Sequence, residues 1–255
     1  MKSKTKKVTC FGEVLWDVFP KHKKIGGAPL NVALRLKSFG VDVIFISRIG
    51  NDKNGKEIIK FVSKNEIDTN TIQVDDSYKT GCVNVTLDET GSASYEIEYP
   101  VAWDKIEIDK NSIQIVKTSK AFIFGSLACR DAITKHTLLE LLRHANYKVF
   151  DVNLRPPFYS LELLLELMRK ADFIKYNDEE LNEICNKLNF TSSIIQEQIN
   201  FISEYSNTKH ICVTRGKEGA VLFYNNKFYL NKGYRVKVAD TVGAGDSFLA
   251  SLIYK

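Results

Sequence analysis

At 255 residues, 44% apolar and 26% charged, the chain is long and hydrophobic enough for one large α/β unit, which excludes a disordered or fibrous protein. Its formal net charge of +5 is carried partly by Lys2, Lys4, Lys6 and Lys7 and shows no basic face interleaved with aromatics, so no nucleic-acid partner is expected. Five scattered cysteines without a Cys-x-x-Cys pair, four histidines without ligand spacing, no apolar run of ~18 residues and no signal-peptide core point to a cytoplasmic protein without disulfides, zinc or a membrane partner.

Val8-Thr9-Cys10-Phe11-Gly12 reads as a buried first strand, continued with alternating character by residues 13–19 and closed by a polar turn at 20–24. Gly26-Gly27-Ala28-Pro29-Leu30-Asn31-Val32-Ala33 then opens a helix. Glycines precede it, Pro29 lies in its first turn, Leu30, Ala33, Leu34 and Leu36 share a face, and Gly40 follows. Paired glycines let a small ligand lie against the backbone, and Asn31 offers both donors and acceptors. A plain glycine turn feeding a helix accounts for the same residues.

Val41–Ser47 reads as a second buried strand. Gly50-Asn51-Asp52-Lys53-Asn54-Gly55-Lys56-Glu57 nearly spells a phosphate-binding P-loop. Glu57 stands where that loop needs Ser or Thr and would repel phosphate, so this stretch is excluded as a nucleotide site. It leads into a helix from Lys56 to about Lys64. From Thr71 to Tyr99 the period becomes two, with strands at Gly81–Leu87 and Ser94–Tyr99 joined at Asp88-Glu89-Thr90-Gly91, a hairpin signal. Trp103 leaves this segment either to cover a site or to pack in the core.

From Ser119 onward strands and helices alternate, the pattern of a parallel sheet covered on both faces. Strands are expected at 121–125, 148–152, 171–176 and 210–214, and a helix from Thr134 to Arg143. The exit Asp151-Val152-Asn153-Leu154-Arg155 puts polar groups at the carboxyl end of a strand, where α/β proteins bind ligands. Arg155 there suits a substrate oxygen or carboxylate and equally a structural ion pair. Asn177 and Glu180 have the spacing of a helix capping box. Residues 222–229 read as a hairpin turning at Asn225-Asn226.

Near the end, an alternating strand at 234–238 and an apolar helix at 248–254 flank Asp240-Thr241-Val242-Gly243-Ala244-Gly245-Asp246-Ser247-Phe248. The amides of Gly243, Ala244 and Gly245 at a helix N-terminus make an anion site. Asp246 in the first turn beside it suits the removal of a proton from a hydroxyl attacking a phosphoryl group.

This nine-residue stretch resembles the signature of the ribokinase-like (PfkB-type) sugar kinases, and the other motifs follow in that family's order along nearly the whole chain. The resemblance implies a three-layer α/β/α sandwich with a mainly parallel central sheet and a small β lid. It implies one kinase domain over 1–255 with lid segments at about 13–25 and 71–103. The implied activity is ATP-dependent phosphorylation of a sugar hydroxyl, closest to the bacterial fructokinases. Asp246 would be the base, kept ionised by the helix dipole, and Gly243, Ala244 and Gly245 the anion hole. Asp17, Gly26, Gly27, Asn31 and Arg155 would hold the sugar, and Asn177, Glu180, Thr214, Gly216 and Gly219 the ATP. Glu180 would organise Mg2+ through water, Asp240 and Val242 a monovalent cation such as K+, and the lid a homodimer contact. Ribose and 2-keto-3-deoxygluconate are the rival substrates. The chain stops about two helical turns after Asp246, before the family's further helices beside the adenine. A relative that binds sugar or nucleotide without turnover is therefore the competing reading.

Overall fold

A computed structural model describes residues 7–87, 93–234 and 242–255. The short runs rich in Val, Ile and Phe become strands of a nine-stranded sheet. Its spatial order is β13 (Lys227–Asn231), β12 (Ala220–Tyr224), β11 (His210–Thr214), β10 (Phe173–Asn177), β9 (Lys148–Asp151), β8 (Ala121–Gly125), β1 (Lys7–Phe11), β4 (Asp42–Gly50) and β5 (Ile72–Asp75). The strands from β11 to β5 pair in parallel, and β12 and β13 close the other edge as an antiparallel hairpin. Asn225 and Asn226 turn that hairpin with φ of 49° and 61°, the left-handed pair a two-residue turn needs.

Side chains alternate across the sheet and split the core in two. Phe122, Phe124, Phe150 and Ile174 face one side, where they meet α3 (Lys110–Thr118), α4 (Ala132–Leu142), α5 (Leu161–Lys170), α6 (Asp178–Lys187) and α7 (Ile195–Ser206). Val8, Cys10, Ile123 and Val149 face the other, under α1 (Ala28–Ser38), α2 (Lys53–Lys64) and α8 (Ala244–Tyr254). The result is the expected helix–sheet–helix sandwich. From β1 the chain fills β4 and β5 on one side, then returns to β8 on the other. That reversal leaves a crevice at the carboxyl ends of β1 and β8, the place where open α/β sheets bind ligands. Among the described residues no helix is long and apolar enough to cross a membrane.

A smaller sheet, in the order β3 (Lys23–Gly26), β2 (Leu15–Val18), β6 (Gly81–Leu87) and β7 (Ala93–Ile97), stands apart from the large one. Two expectations shift, and one left open is decided. Residues 72–75, expected in this sheet, pair instead with β4, so the second segment of the small sheet begins at Gly81. Alternation reports that one face is buried, not which sheet buries it. α2 begins at Lys53 rather than Lys56, because Asp52 caps it by accepting from the Gly55 N–H at 2.8 Å. Trp103 is fully buried and belongs to the core. The turn at 88–91 and the strand expected at 235–238 lie outside the described residues.

Candidate active site

The residues expected to hold the sugar converge through two glycines. On β2, Asp17 lies so close to Gly26 that a Cβ there would sit 2.3 Å from Asp17 Oδ2. Gly27 has φ +113°, and a Cβ on it would lie 2.5 Å from the Glu13 carbonyl oxygen. The backbone approach and positive φ at Gly27 disfavour any larger residue, whereas a side chain at Gly26 would have to displace the Asp17 carboxylate. Gly27 is also the N-cap of α1. Asn31 therefore leaves the first turn of that helix, and its Nδ2 donates to Asp246 Oδ2 at 2.8 Å.

At the other end of the chain, Gly243 caps α8 with φ +73°, and Ala244, Gly245 and Asp246 form the first turn. This places three amides with no intrahelical acceptor around one point. α1 and α8 lie side by side, and a cleft of about 260 Å³ opens where Asp17, Gly26, Asn31, Val242, Gly243 and Ser247 meet. Lys175, buried in the middle of β10, pairs with Asp151 Oδ1 at 3.0 Å. Its Nζ lies 3.1 Å from where a Cβ on Gly245 would be, so a fixed ammonium stands against the α8 N-terminus.

Burial pushes the Asp246 carboxyl up to about 6, and the charge of Asp151 adds to this. The Asn31 hydrogen bond and the cations Lys175 and Arg155 pull the other way. Desolvation is the largest of these influences. A carboxylate near 6 is a stronger base than an exposed one and is still mostly ionised at neutral pH. Asp17 is also raised by burial, opposed by Lys24 and Arg155. Arg155 itself is exposed and donates to the Leu154 carbonyl at 2.8 Å. Its charge acts on Asp17, Glu13 and Asp246 together.

Asn177 and Glu180 form the expected reciprocal box. Asn177 Oδ1 accepts from the Glu180 N–H at 2.7 Å, and Glu180 Oε2 from the Asn177 N–H at 2.8 Å. Glu180 Oε1 accepts a further bond from the Leu154 N–H at 3.0 Å, which ties α6 to the loop carrying Arg155. Thr214 lies beside Asn177 in the parallel pairing of β10 and β11, so both end on the carboxyl edge of the sheet. Gly216, φ +51°, has open space where a side chain would be. Gly219 is a glycine for another reason: a Cβ there would fall 1.9 Å from the Asn231 carbonyl oxygen. Asp240 lies outside the described residues, so the expected cation pair with Val242 is represented by Val242 alone.

Residues 3–255 match the pfkB family of carbohydrate kinases. The chain belongs to that family. It is 29% identical to a fructokinase of Solanum tuberosum, over 97% of this chain and 80% of the relative. It is 27% identical to a probable fructokinase of Arabidopsis thaliana, over 96% and 80%. Among solved structures, a putative sugar kinase of Pyrococcus horikoshii in complex with ATP superposes with a TM-score of 0.82 at 28% identity, covering 96% of this chain and 83% of that one. Fructokinase from Xylella fastidiosa with bound ATP gives a TM-score of 0.87 at 24% identity, covering 98% and 81%, which speaks to fold alone. The protein is therefore an ATP-dependent kinase of the pfkB fold acting on a sugar hydroxyl.

Against that family background, Lys175, Glu13 and the pairing of Asp151 lie beyond the expectations drawn from the sequence. Lys175 and Asp151 meet only because β9 and β10 pair, yet a lysine inside Phe173-Ile174-Lys175-Tyr176 is itself a signal, since a buried ammonium needs a carboxylate. Glu13, only 2% exposed, sits at the exit of β1 between two apolar stretches and is legible on the same ground. For a magnesium ion, the described residues hold no cluster of three or more His, Cys, Asp or Glu that would ligate it directly. Asp151 Oδ2 is buried without a hydrogen-bond partner, and the Asp151 charge acts on Glu180. Such a carboxylate pair fits an ion held through water and phosphate oxygens rather than by the protein alone.

Proposed function

We propose that this pfkB kinase transfers the ATP γ-phosphate to fructose, with Asp246 as the base. The Asn31–Asp246 hydrogen bond carries the reading: it joins the glycine turn beside Asp17 to the N-terminus of α8 in one cleft. Asp17, Gly26, Gly27, Asn31 and Arg155 hold the sugar so that one hydroxyl faces Asp246. Asp246 accepts the proton of that hydroxyl as its oxygen attacks phosphorus. The Gly243, Ala244 and Gly245 amides stabilise charge on the moving phosphoryl group, and Lys175, held by Asp151, adds a positive charge beside them. Asn177, Glu180, Thr214, Gly216 and Gly219 line the nucleotide side. Mg2+ would be held through water by Glu180 and Asp151, where it neutralises charge on the phosphate oxygens. Val242 with Asp240 would hold a K+ ion; a Vibrio cholerae fructokinase variant has been solved with fructose, ADP and potassium. The small sheet serves as the lid and the contact of a homodimer.

The named relatives favour fructose. Arg155, exposed and paired with no carboxylate among the described residues, favours an acid such as 2-keto-3-deoxygluconate as the second reading. The test is ADP release from Mg-ATP against fructose, ribose, 2-keto-3-deoxygluconate and nucleosides, with and without K+. Turnover highest on fructose supports the assignment. Turnover highest on the acid, lost with Arg155→Ala, moves it to the second. A folded protein that turns over none of them is a binding relative.

A further inference from the structure

Glu13 has no part in the scheme above, yet the fold spends a buried carboxyl on it. It leaves β1 at the point where the strand order reverses, and its carbonyl oxygen packs against Gly27, the N-cap of α1. That cap supplies no side chain to α1, and the backbone N–H groups of Glu13 and Ala28 favour the ionised Glu13 carboxyl beside it. Its second oxygen, Oε2, is buried and accepts no hydrogen bond. The ionisable groups that face it are Cys129 from the turn after β8, Arg155 from the loop after β9 and Asp246 from α8. Of these only Arg155 is a cation, and among the described residues its guanidinium bonds to nothing stronger than the neighbouring Leu154 carbonyl.

A buried carboxylate oxygen without a donor is costly. An exposed guanidinium within its field, on a loop at the mouth of the same crevice, is the donor that would relieve it. We propose that Glu13 is a positioning residue of the sugar site, whose Oε2 receives the Arg155 guanidinium when sugar fills the cleft, so that Arg155 is fixed against substrate oxygens. The inference rests on the sugar-kinase reading and adds a consequence. Burial, opposed by the backbone N–H groups and Arg155 and reinforced by Asp246, pushes Glu13 up to about 7. Pairing with Arg155 favours the carboxylate, so sugar binding near neutral pH expels a proton from Glu13.

The experiment is calorimetry of sugar binding at pH 7 with ADP present, in buffers of different ionisation enthalpy, using the sugar that gives turnover. Wild type should release roughly half a proton per sugar bound, as a group titrating near the working pH must. Glu13→Gln and Arg155→Ala should each abolish the release. Each should raise KM for the sugar by about tenfold to a hundredfold with little change in kcat, and the double variant should be no worse than either single one. Arg155 is exposed, so its variant keeps the test valid even if the Glu13 variant folds poorly. Sugar binding that releases no proton, or effects of the two substitutions that simply add, overturns the proposal and leaves the kinase reading standing. No binding of any sugar by folded wild type overturns both.

Discussion

At the scale of single residues, the site turns on how Asp246 is kept basic yet ionised. Burial and Asp151 push its carboxyl up to about 6, while Asn31, Lys175 and Arg155 hold it from rising further. Only the carboxylate accepts a proton, so kcat/KM should fall about tenfold per pH unit below 6 and level off above it. Asp246→Asn keeps the shape and removes the base. Sugar-dependent ADP release should then drop by about two to four orders of magnitude while the sugar still raises the melting temperature. Asn31→Ala removes a hydrogen bond that favours the charged form, so the acid limb should move upward from 6; a limb that stays put would show that this bond does not tune the base. The two halves of this pair were legible locally, through the glycines and Pro29 before Asn31 and the Gly-Ala-Gly turn before Asp246. Their contact was not, because it spans 215 positions and exists only once α1 and α8 pack side by side. The Lys175–Asp151 contact is hidden for the same reason: a lysine in an apolar strand signals a buried cation, but only the pairing of β9 with β10 says which carboxylate it meets.

At the scale of elements, α6 shows how one feature serves structure and site together. The Asn177–Glu180 box closes the helix N-terminus, and Glu180 Oε1 also holds the Leu154 amide, so the carboxylate stitches two loops of the crevice. Asn177→Ala should cost about 1 kcal/mol, the usual value of a lost cap. Glu180→Gln should cost about 1–3 kcal/mol despite its matched shape, because both oxygens accept from backbone amides, and glutamine keeps one accepting oxygen while its NH2 meets the other N–H donor to donor. At roughly 2–4 °C per kcal/mol for a chain of this size, thermal melting resolves the two. If Glu180 also organises magnesium, KM for Mg-ATP should rise in the glutamine variant and change little in Asn177→Ala; equal changes in both would reduce Glu180 to a cap. Capping is written in adjacent residues and was readable. The membership of β5 was not, since Ile72–Asp75 carries the same alternation whether it joins the small sheet or, as it does, β4.

For the whole molecule the question is what ties the small sheet to the large one: Trp16 and Lys23 bind it to α2 through Asn54 and Glu57, and the segment after β7 is held by one guanidinium. Arg130, in the turn after β8, is nearly inaccessible, with a side-chain exposure of 2%. Its Nε and Nη2 donate to Asp104 at 2.6 and 2.8 Å, and Nη2 also donates to the Glu98 carbonyl at 2.6 Å, just past the end of β7. Its planar face stacks 3.9 Å from the Trp103 ring, with Phe158 and Tyr99 beside it. The chain leaving the small sheet is therefore clamped to the core by a bidentate ion pair inside an aromatic cage. Arg130→Ala would strand Asp104 in the interior, and breaking a buried pair from one side costs about 3–5 kcal/mol, which at roughly 2–4 °C per kcal/mol lowers the melting temperature by about 10 °C. Burial already raises the Asp104 carboxyl above its ordinary 3.8 against the pull of Arg130, and without that cation it must rise further. An acid whose folded value lies above its unfolded one favours the fold while protonated and loses that advantage as pH rises through the interval. The deficit of Arg130→Ala should therefore be smallest near pH 4 and grow toward neutrality, and Arg130→Ala with Asp104→Ala should recover part of it at pH 7. A single-variant deficit that is the same from pH 4 to 8, with no recovery in the double variant, would mean that the aromatic cage and not the ion pair clamps this segment to the core.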